Sequence, residues 1–281
     1  MKTPTRLAAL VEEGLVDEVL GQLMSGKEAT VYVVRCGDDI CCAKVYKDAS
    51  QRSFRHNASY QEGRKVRNSR QTRAMEKGSR FGRKMQEAVW QSAEVDALYR
   101  LAAAGVRVPQ PHLCYEGVLL MDLIVDADGD PAPRLNDVEL NEELALEFHA
   151  LLIKQVVRML CAGIIHGDLS EYNILVGEDG PVIIDVPQAI DAAGNSSAAE
   201  MFARDVLNLR SYFGSFAPSL ADSQFGKEIW AHYESGLLTP DLALTGQVVL
   251  DERLADVDAV LQQVDLAIKE NEIRRMCRED Q

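Results

Sequence analysis

The feature that most constrains this chain is a polar loop, His166–Leu175, which reads HGDLSEYNIL. It places Asp168 five positions before Asn173, and an apolar run follows directly. That run, a turn at residues 177–180 and a second apolar run leading to Asp185 predict a β-hairpin. Such a hairpin would bring Asp185 back next to the polar loop that contains Asp168 and Asn173. The sequence therefore predicts that two carboxylates and one carboxamide share a site.

These residue types suit the transfer of a phosphoryl group. An aspartate at the head of the loop can accept the proton of an attacking hydroxyl, and an asparagine five positions later can bind Mg²⁺ through its amide oxygen. The hard carboxylate of Asp185 can bridge the metal and the phosphates. Each residue alone has an ordinary explanation, because an Asp close to an Asn in a loop is usually a turn former. The order and spacing of all three favour the functional interpretation.

A lysine inside an apolar strand supplies the cation that such a site needs. Lys44 lies in the strand-like run of residues 40–47, where a lysine is usually on the solvated face of a sheet. Glu94 lies on the apolar stripe of a helix predicted from about Met85 to Ala104, and a carboxylate there requires a cation. We therefore expect an ion pair between Lys44 and Glu94, with Lys44 also holding the α- and β-phosphates of a nucleotide.

The N-terminal part of the chain is predicted to form a small sheet. A short amphipathic helix over residues 3–15 precedes strand-like runs at residues 18–24, 29–36 and 40–47. The first turn, Ser25–Glu28, offers a hydroxyl and backbone N–H groups that could cover a triphosphate. Alone, such a turn is more often a simple hairpin connection.

A hinge is predicted where the strand-like run of residues 118–124 ends. In this segment, Met121 would lie at the back of an adenine pocket, and backbone groups of Asp122 and Ile124 would face the base. The acidic run that follows, Asp126–Asp130, is expected to be a turn. Its glycine is misplaced for an EF-hand loop, and no glutamate closes it at the twelfth position.

The C-terminal half of the chain is predicted to be mostly helical. Asn141 can cap a helix that runs to about Ala162, and Gly163 would end it. His166 is expected to hold the backbone of the loop rather than to act as a base. Ser196 or Ser197 is expected to cap the next helix, and apolar residues at helical spacing over residues 257–268 predict a helical tail.

Composition excludes several classes of protein. With 281 residues, of which 47% are hydrophobic, the chain is long enough to bury a full core. No apolar stretch approaches the roughly 20 residues of a membrane helix, and the first residues lack the apolar core of a signal peptide. Its six cysteines show no metal-ligand spacing. We expect a cytoplasmic protein with reduced thiols and no membrane contact.

The charge of the chain is unevenly distributed. The formal net charge is -14, which argues against general nucleic-acid coating. Residues 51–84, however, contain eleven Lys or Arg and only two acidic residues, Glu62 and Glu76. Anionic partners for this basic insert include RNA, the phosphates of ATP and the acidic C-terminal part of the chain itself. A solvated face paired internally with acidic residues is nearly as good an explanation.

Four segments together resemble the RIO family of atypical serine/threonine protein kinases, its bacterial members most closely. They are residues 25–32 (SGKEATVY), the Arg-rich insert before Trp90 and Glu94, residues 166–175, and residues 184–188 (IDVPQ). The resemblance covers roughly residues 15–220. Pro187 stands where many relatives have serine, and the basic insert is longer than in the archaeal and eukaryotic members.

The resemblance implies an α+β, bilobal protein-kinase-like fold. We expect a small β-rich N lobe with one long helix, a mostly helical C lobe, and no long activation segment. The predicted N lobe, including the N-terminal helix and the basic insert, covers residues 1–124. The predicted C lobe and its helical tail cover residues 125–281.

The resemblance also implies roles for individual residues. Ser25 would belong to the phosphate loop, Lys44 would bind ATP, and Asp168 would accept the proton. Asn173 and Asp185 would bind the metal, which is Mg²⁺ or, as a substitute, Mn²⁺. In this family the aspartate that matches Asp185 can itself take the phosphoryl group. An ATPase cycle through an aspartyl-phosphate is therefore implied besides serine autophosphorylation, with a protein or the chain itself as substrate.

Two other functions stay open at this point. One is a small-molecule kinase of the aminoglycoside or choline type, whose loops also read His-Gly-Asp with a later Asn. The residues Ser170-Glu171-Tyr172 and the turn that begins at Ser25 disfavour it. The other is a non-catalytic assembly factor that binds RNA or a ribosomal partner through residues 51–84 and uses ATP only as a conformational switch.

Overall fold

The structure is a computed structural model, and it describes residues 4–47 and 93–247. The basic insert, the first part of the helix predicted from about Met85, and the predicted helical tail lie outside the described residues. Within the described residues, no helix combines the length and the apolar character that would be needed to cross a bilayer.

The N-terminal part is a five-stranded antiparallel sheet with a helix on each face. Its elements are α1 (Thr5–Glu12), β1 (Glu18–Ser25), β2 (Ala29–Cys36), β3 (Asp39–Tyr46), a helix α2 at residues 93–103, β4 (Pro111–Tyr115) and β5 (Val118–Asp122). The strand order is β1-β2-β3-β5-β4. The predicted meander and the short N-terminal helix are confirmed.

Alternating burial explains why this sheet has two packed faces. Tyr32 and Val34 point to one face, where they join Leu7 and Leu10 of α1 in an apolar cluster. Tyr46 points to the other face, into the cluster that contains the apolar residues of α2. The turn between β4 and β5 has positive φ at two successive residues, 47° and 76°, which matches the right-handed twist of a tight hairpin.

The C-terminal part is mostly helical. Its elements are α3 (Glu142–Cys161), β6 (Ile164–Ile165), β7 (Ile174–Gly177), β8 (Gly180–Ile183), β9 (Ile190–Asp191), α4 (Ala198–Gly214) and α5 (Phe225–Glu234). Short 3₁₀ helices lie at Leu135–Asp137, Glu171–Asn173 and Pro218–Leu220. The bilobal α+β architecture predicted from the sequence is therefore confirmed, including the hairpin of β7 and β8.

Two helix caps show where the sequence signals were sound and where they were not. Asn141 caps α3 as predicted, because its Oδ1 accepts a hydrogen bond from the Leu144 N–H at 2.8 Å. Ser197 is at the N-cap position of α4, but its side chain makes no capping hydrogen bond. Instead, Asn195 Oδ1 accepts a bond from the Ser197 N–H at 2.8 Å. The predicted N-cap position is therefore confirmed for Ser197, but the predicted side-chain cap is wrong there.

The polar loop lies between the first long helix of the C-terminal part and the β7–β8 hairpin. Helix α3 leads through β6 into the loop at residues 166–173, and the β7–β8 hairpin follows it. Only residues 186–197 separate Asp185 from α4, so a long activation segment is absent from this described stretch, as predicted.

Candidate active site

Lys44 is held in the middle of the sheet and points to its C-lobe side. It pairs with Val31 on β2 and with Leu119 on β5. Its Nζ donates hydrogen bonds to Glu94 Oε1 at 2.5 Å and to Asp185 Oδ1 at 2.8 Å. The predicted pairing with Glu94 is present, and Asp185 is a second partner that comes from the other lobe. Burial lowers the pKa of Lys44, but the two carboxylates raise it more, so the pKa lies well above its ordinary value.

Glu94 is fixed by a second hydrogen bond that the sequence reasoning missed. Tyr46 OH donates to Glu94 Oε2 at 2.7 Å, while Oε1 receives Lys44. Glu94 is 1% exposed, so both of its carboxylate oxygens have partners where water does not reach. Burial, and after it the charge of Glu94, raises the pKa of Tyr46, which therefore stays a neutral donor. Tyr46 lies two positions after Lys44 on the same strand face, which is the signal that could have found it.

A buried aspartate on α4 holds the polar loop at residues 166–173, which we call the catalytic loop because it contains the predicted catalytic residue Asp168. Asp205 accepts hydrogen bonds from the Gly167 N–H at 2.7 Å and from the Leu169 N–H at 3.0 Å. Arg204 donates to the Gly167 carbonyl, and Asn208 donates to the Leu169 carbonyl at 2.9 Å. Burial raises the pKa of Asp205, and the hydrogen bonds from the Gly167 and Leu169 N–H groups oppose that rise. Asp205 was missed, although it interrupts an apolar helical stripe just as Glu94 does.

His166 supports the loop backbone, as expected. Its Nε2 donates to the Ile184 carbonyl at 3.1 Å, and its Nδ1 accepts from the Asp168 N–H at 3.3 Å. Because a carbonyl can only accept and an N–H can only donate, the proton must be on Nε2. The imidazole thus ties the loop to the residue before Asp185 and has no lone pair left to act as a base.

Asp168 lies on the surface of the cleft, close to Asp185. Gln188 Nε2 donates to Asp168 Oδ2 at 3.2 Å. Desolvation in the cleft raises the pKa of Asp168, and the nearby charge of Asp185 adds to the rise, whereas the charge of Arg204 and the Gln188 bond oppose it. The carboxylate is therefore easier to protonate than an aspartate in water, which suits a group that accepts a proton.

Asn173 and Asp185 are arranged so that their oxygens can serve as metal ligands. Asn173 Nδ2 donates to the Asp168 carbonyl at 2.9 Å, which leaves the amide oxygen as the atom for a cation. Asp185 has φ of 63°, a left-handed conformation that is uncommon for any residue but glycine. The ammonium of Lys44 lowers the pKa of Asp185, although burial opposes it, so the carboxylate stays ionised.

This pair fits Mg²⁺ better than a metal held by protein ligands alone. No group of three or more His, Cys, Asp or Glu side chains that could hold a metal occurs among the residues that the structure describes. Mg²⁺ usually takes one or two protein oxygens and completes its shell with water and phosphate oxygens. One carboxylate and one amide oxygen meet that requirement when a nucleotide supplies the rest.

The predicted hinge follows β5. Met121 pairs with Cys42 of β3 and packs against the main core. The Asp122 N–H donates to the Gln110 carbonyl at 3.0 Å, and the Ile124 carbonyl accepts from the Ala132 N–H at 2.9 Å. An adenine at the predicted hinge would therefore have to use other backbone groups than the Asp122 N–H and the Ile124 carbonyl.

A cleft of about 440 Å³ also borders the hinge, but it is not the one that Lys44 faces. Its lining includes Asp122 and Ile124 with Arg107, His112 and Asp179, and neither Lys44 nor Asp185 contributes to it. The predicted catalytic residues Lys44, Asp168 and Asp185 therefore do not line this cleft.

The predicted phosphate turn closes the hairpin between β1 and β2. Ser25 is exposed and lies opposite Thr30, with their hydroxyl oxygens 3.3 Å apart. Lys47 Nζ donates to the Gly26 carbonyl at 2.5 Å and to Ser25 Oγ at 3.2 Å. A second ammonium, unforeseen from the sequence, therefore lies at the turn.

Comparison with known proteins matches this chain to one family. Residues 30–224 match the RIO domain. The chain is 35% identical over 207 residues to the RIO-type serine/threonine-protein kinase Rio1 of Haloferax volcanii, covering 73% of this chain and 66% of that protein. It is 32% identical over 214 residues to Rio1 of Methanocaldococcus jannaschii, with 75% and 68% covered.

The eukaryotic relatives are much longer than the shared region. The human serine/threonine-protein kinase RIO1 is 32% identical over 214 residues, which covers 75% of this chain but 36% of that protein. The chain therefore spans about two thirds of the length of the archaeal relatives that it matches and much less of the human one. The shared region contains every residue of the cluster around Lys44.

Proposed function

Because this chain belongs to the RIO family of atypical serine/threonine protein kinases, we propose that it transfers the γ-phosphoryl group of ATP. The acceptor is a serine hydroxyl of a protein or of the chain itself. The observation that carries the proposal is the position of Lys44 Nζ, within 2.8 Å of carboxylates from both lobes, beside the loop that contains Asp168 and Asn173.

In the proposed reaction, Asp168 accepts the proton of the serine hydroxyl as its oxygen attacks the γ-phosphorus. The bond from the γ-phosphorus to the bridging oxygen breaks, and ADP leaves with the electron pair. Lys44 stabilises the negative charge on the α- and β-phosphates, and Glu94 keeps its ammonium in place. Ser25 and its turn cover the phosphates, while the hinge groups of Asp122 and Ile124 face the base, with Met121 behind it.

Asn173 and Asp185 would hold the metal. When bound, Mg²⁺ neutralises charge that develops on the phosphate oxygens. Asp185 Oδ1 lies 2.8 Å from Lys44 Nζ, so the carboxylate proposed to hold the metal is next to the ammonium proposed to bind the phosphates. Mn²⁺, which also prefers oxygen ligands, is the proposed substitute.

We also propose that Asp185 can take the phosphoryl group. A carboxylate oxygen of Asp185 would attack the γ-phosphorus and release ADP, and water would then attack the phosphorus and release phosphate. The ionised state of Asp185, kept by Lys44, supports this step because only the carboxylate is nucleophilic. This would make the chain an ATPase as well as a kinase.

ATP turnover by three variants tests the central proposal. We expect Lys44→Ala, Asp168→Ala and Asp185→Asn each to lower turnover by about two to four orders of magnitude, because positioning and charge neutralisation supply most of the catalysis. The matched control is Asp222→Asn, an exposed carboxylate far along the chain. Unchanged turnover in all three variants would remove the kinase assignment.

Mapping of the label from γ-labelled ATP separates the two acceptors. Aspartyl-phosphate is cleaved by hydroxylamine, whereas phosphoserine is not. A hydroxylamine-labile label on Asp185 is the expected result for the ATPase cycle. A label that survives hydroxylamine and maps only to serine would limit the chemistry to kinase activity.

Partners beyond ATP stay predictions from the sequence. The basic insert of residues 51–84, proposed as a contact for RNA or a ribosomal partner, lies outside the described residues. Salt-dependent RNA binding that survives Asp168→Ala would favour an assembly role that needs no catalysis. The cytoplasmic location belongs to the same group of predictions, as does the division of the chain into lobes at residue 124.

A further inference from the structure

Arg134 lies beside the cleft and was not identified from the sequence. Its backbone is fixed to the floor of the site, since Arg134 forms a β-bridge with Leu175 and the Pro133 carbonyl accepts from the Val176 N–H at 2.9 Å. The following residue, Leu135, is fully buried. The side chain of Arg134, however, reaches the opposite lobe, where its Nη2 lies 2.9 Å from Met24 Sδ on β1.

The register of the sheet shows which face Arg134 reaches. Met24 pairs with Val31, and Val31 pairs with Lys44. Residues directly opposite one another in an antiparallel sheet point to the same face, so Met24 and Lys44 share the face that looks into the cleft. Met24 also immediately precedes Ser25 of the phosphate turn. The guanidinium is therefore at the cleft mouth, next to the turn and two strands away from Lys44.

The guanidinium of Arg134 is poorly satisfied there. A thioether is a weak acceptor, and Arg134 Nε is buried without a hydrogen-bond partner. Among residues 4–47 and 93–247, Arg134 is in no ion pair. The side chain as a whole is only partly buried, so an anion from solvent can reach the guanidinium and supply a partner.

We infer that Arg134 binds a phosphate group of the nucleotide, as a second cation across the cleft from Lys44, an inference that rests on the proposed kinase function. A planar guanidinium can give two parallel hydrogen bonds to phosphate oxygens. The phosphate turn, Lys44 and Asp185 surround the position that this group would occupy. The thioether of Met24 is only a weak acceptor, so it would not compete with a phosphate oxygen for the guanidinium.

Titration calorimetry with ATP, ADP, AMP and adenosine tests the inference. For Arg134→Met we expect ATP binding to weaken about tenfold or more, the size typical of a lost hydrogen bond to a charged group. Adenosine binding should not change, because adenosine lacks the phosphate. Arg134→Lys should recover part of the loss, since it keeps the charge but not the planar fork.

Two control variants keep the result interpretable. Arg35→Met removes the same charge from an exposed ion pair with Glu18 and should leave ATP binding unchanged. Met24→Leu removes the sulfur contact and keeps the bulk, so it should also bind ATP normally. Equal losses for ATP and adenosine in Arg134→Met would overturn the inference, because they would show that Arg134 only packs the lobes together. An unchanged ATP affinity would overturn it as well.

Lys44→Ala in the same series separates this inference from the proposed function. Weakened ATP binding in Lys44→Ala together with normal binding in Arg134→Met would leave the kinase proposal in place and refute the role of Arg134. Normal ATP binding in both variants would refute the nucleotide site itself, and the role of Arg134 with it.

Discussion

The two loops that would meet a nucleotide are held in different ways. The catalytic loop, residues 166–173, donates hydrogen bonds to Asp205 of α4 and accepts one from Asn208. His166 ties it to the residue before Asp185. The two hydrogen bonds to Asp205 are buried, and the contacts of Asn208 and His166 are partly buried. The phosphate turn, residues 25–28, is held by Lys47 and by a contact between Ser25 and Thr30, and these contacts are exposed to water.

The difference indicates which part of the site exists before ATP binds. Buried hydrogen bonds to a charged group are worth more than exposed ones, because water does not compete for them. The catalytic loop is therefore organised by the fold itself. The phosphate turn has few buried contacts, so its final geometry should depend on the nucleotide. Variants of the two regions should differ accordingly in stability and in ATP turnover.

The largest effect is expected from removing the charge that holds the catalytic loop. In Asp205→Asn, one of the two N–H groups of Gly167 and Leu169 would face an amide NH₂ instead of a carboxylate oxygen. We expect unfolding free energy to fall by about 3 kcal/mol and turnover to fall about 100-fold, since the lost bonds are buried and charge-assisted. Thermal unfolding and ATP turnover measure the two effects. Equal behaviour of Asp205→Asn and the exposed control Asp222→Asn would contradict the proposed difference between the loops.

A smaller effect is expected where the fold positions Lys44. Tyr46→Phe removes one hydroxyl and keeps the buried ring, so Glu94 loses one of its two partners. We expect the KM for ATP to rise about tenfold, in line with a lost hydrogen bond to a charged group. Tyr32→Phe, which changes a buried tyrosine on the opposite face of the sheet, should have little effect.

A double-mutant cycle with Glu94→Gln shows whether Tyr46 acts through Glu94. Residues that act through one another give non-additive effects, whereas independent residues give additive ones. The effect of Tyr46→Phe should therefore be much smaller in the Glu94→Gln background. Full additivity would mean that Tyr46 has only a general packing role.

The sequence predicted the parts of this site that depend on local patterns. The β7–β8 hairpin, the asparagine cap of α3 and the strand that contains Lys44 each follow from residue periodicity or turn chemistry. The pairing of Lys44 with Glu94 followed from a further rule, that a carboxylate on an apolar helical stripe needs a cation. These signals are short in range, so a single sequence contains them.

The parts that were missed depend on contacts between distant segments. Asp205 lies on an apolar stripe like Glu94, yet its partners are backbone N–H groups of a loop, which have no signature in the sequence. Arg134 and Met24 are brought together only by closure of the two lobes. Tyr46 could have been found from strand alternation, because it shares a face with Lys44. Sequence patterns therefore gave the residues that are proposed to carry the chemistry and missed most of those that hold them in place.

The pH dependence of turnover should show how the surroundings of Asp168 set its pKa. Only the ionised carboxylate can accept a proton, so turnover should fall as the pH falls through the pKa of Asp168. That pKa is raised, mainly by desolvation, so the acid limb should lie above the pH expected for an aspartate in water. Gln188 opposes the rise, and Gln188→Met should move the limb to still higher pH. A limb that stays in place would show that Gln188 does not contact Asp168 during turnover.

The smallest effects are expected at the phosphate turn. Lys47→Met removes the donor to the Gly26 carbonyl, and Ser25→Ala removes the hydroxyl that Lys47 also contacts. Exposed contacts of this kind are worth about 0–1 kcal/mol, so each variant should raise the KM for ATP by no more than about fivefold and leave thermal unfolding unchanged. Steady-state kinetics at several salt concentrations would measure this, since an exposed ammonium near phosphates should lose its effect as salt increases. A loss of stability comparable to that of Asp205→Asn would show that the turn, too, is organised by the fold before ATP arrives.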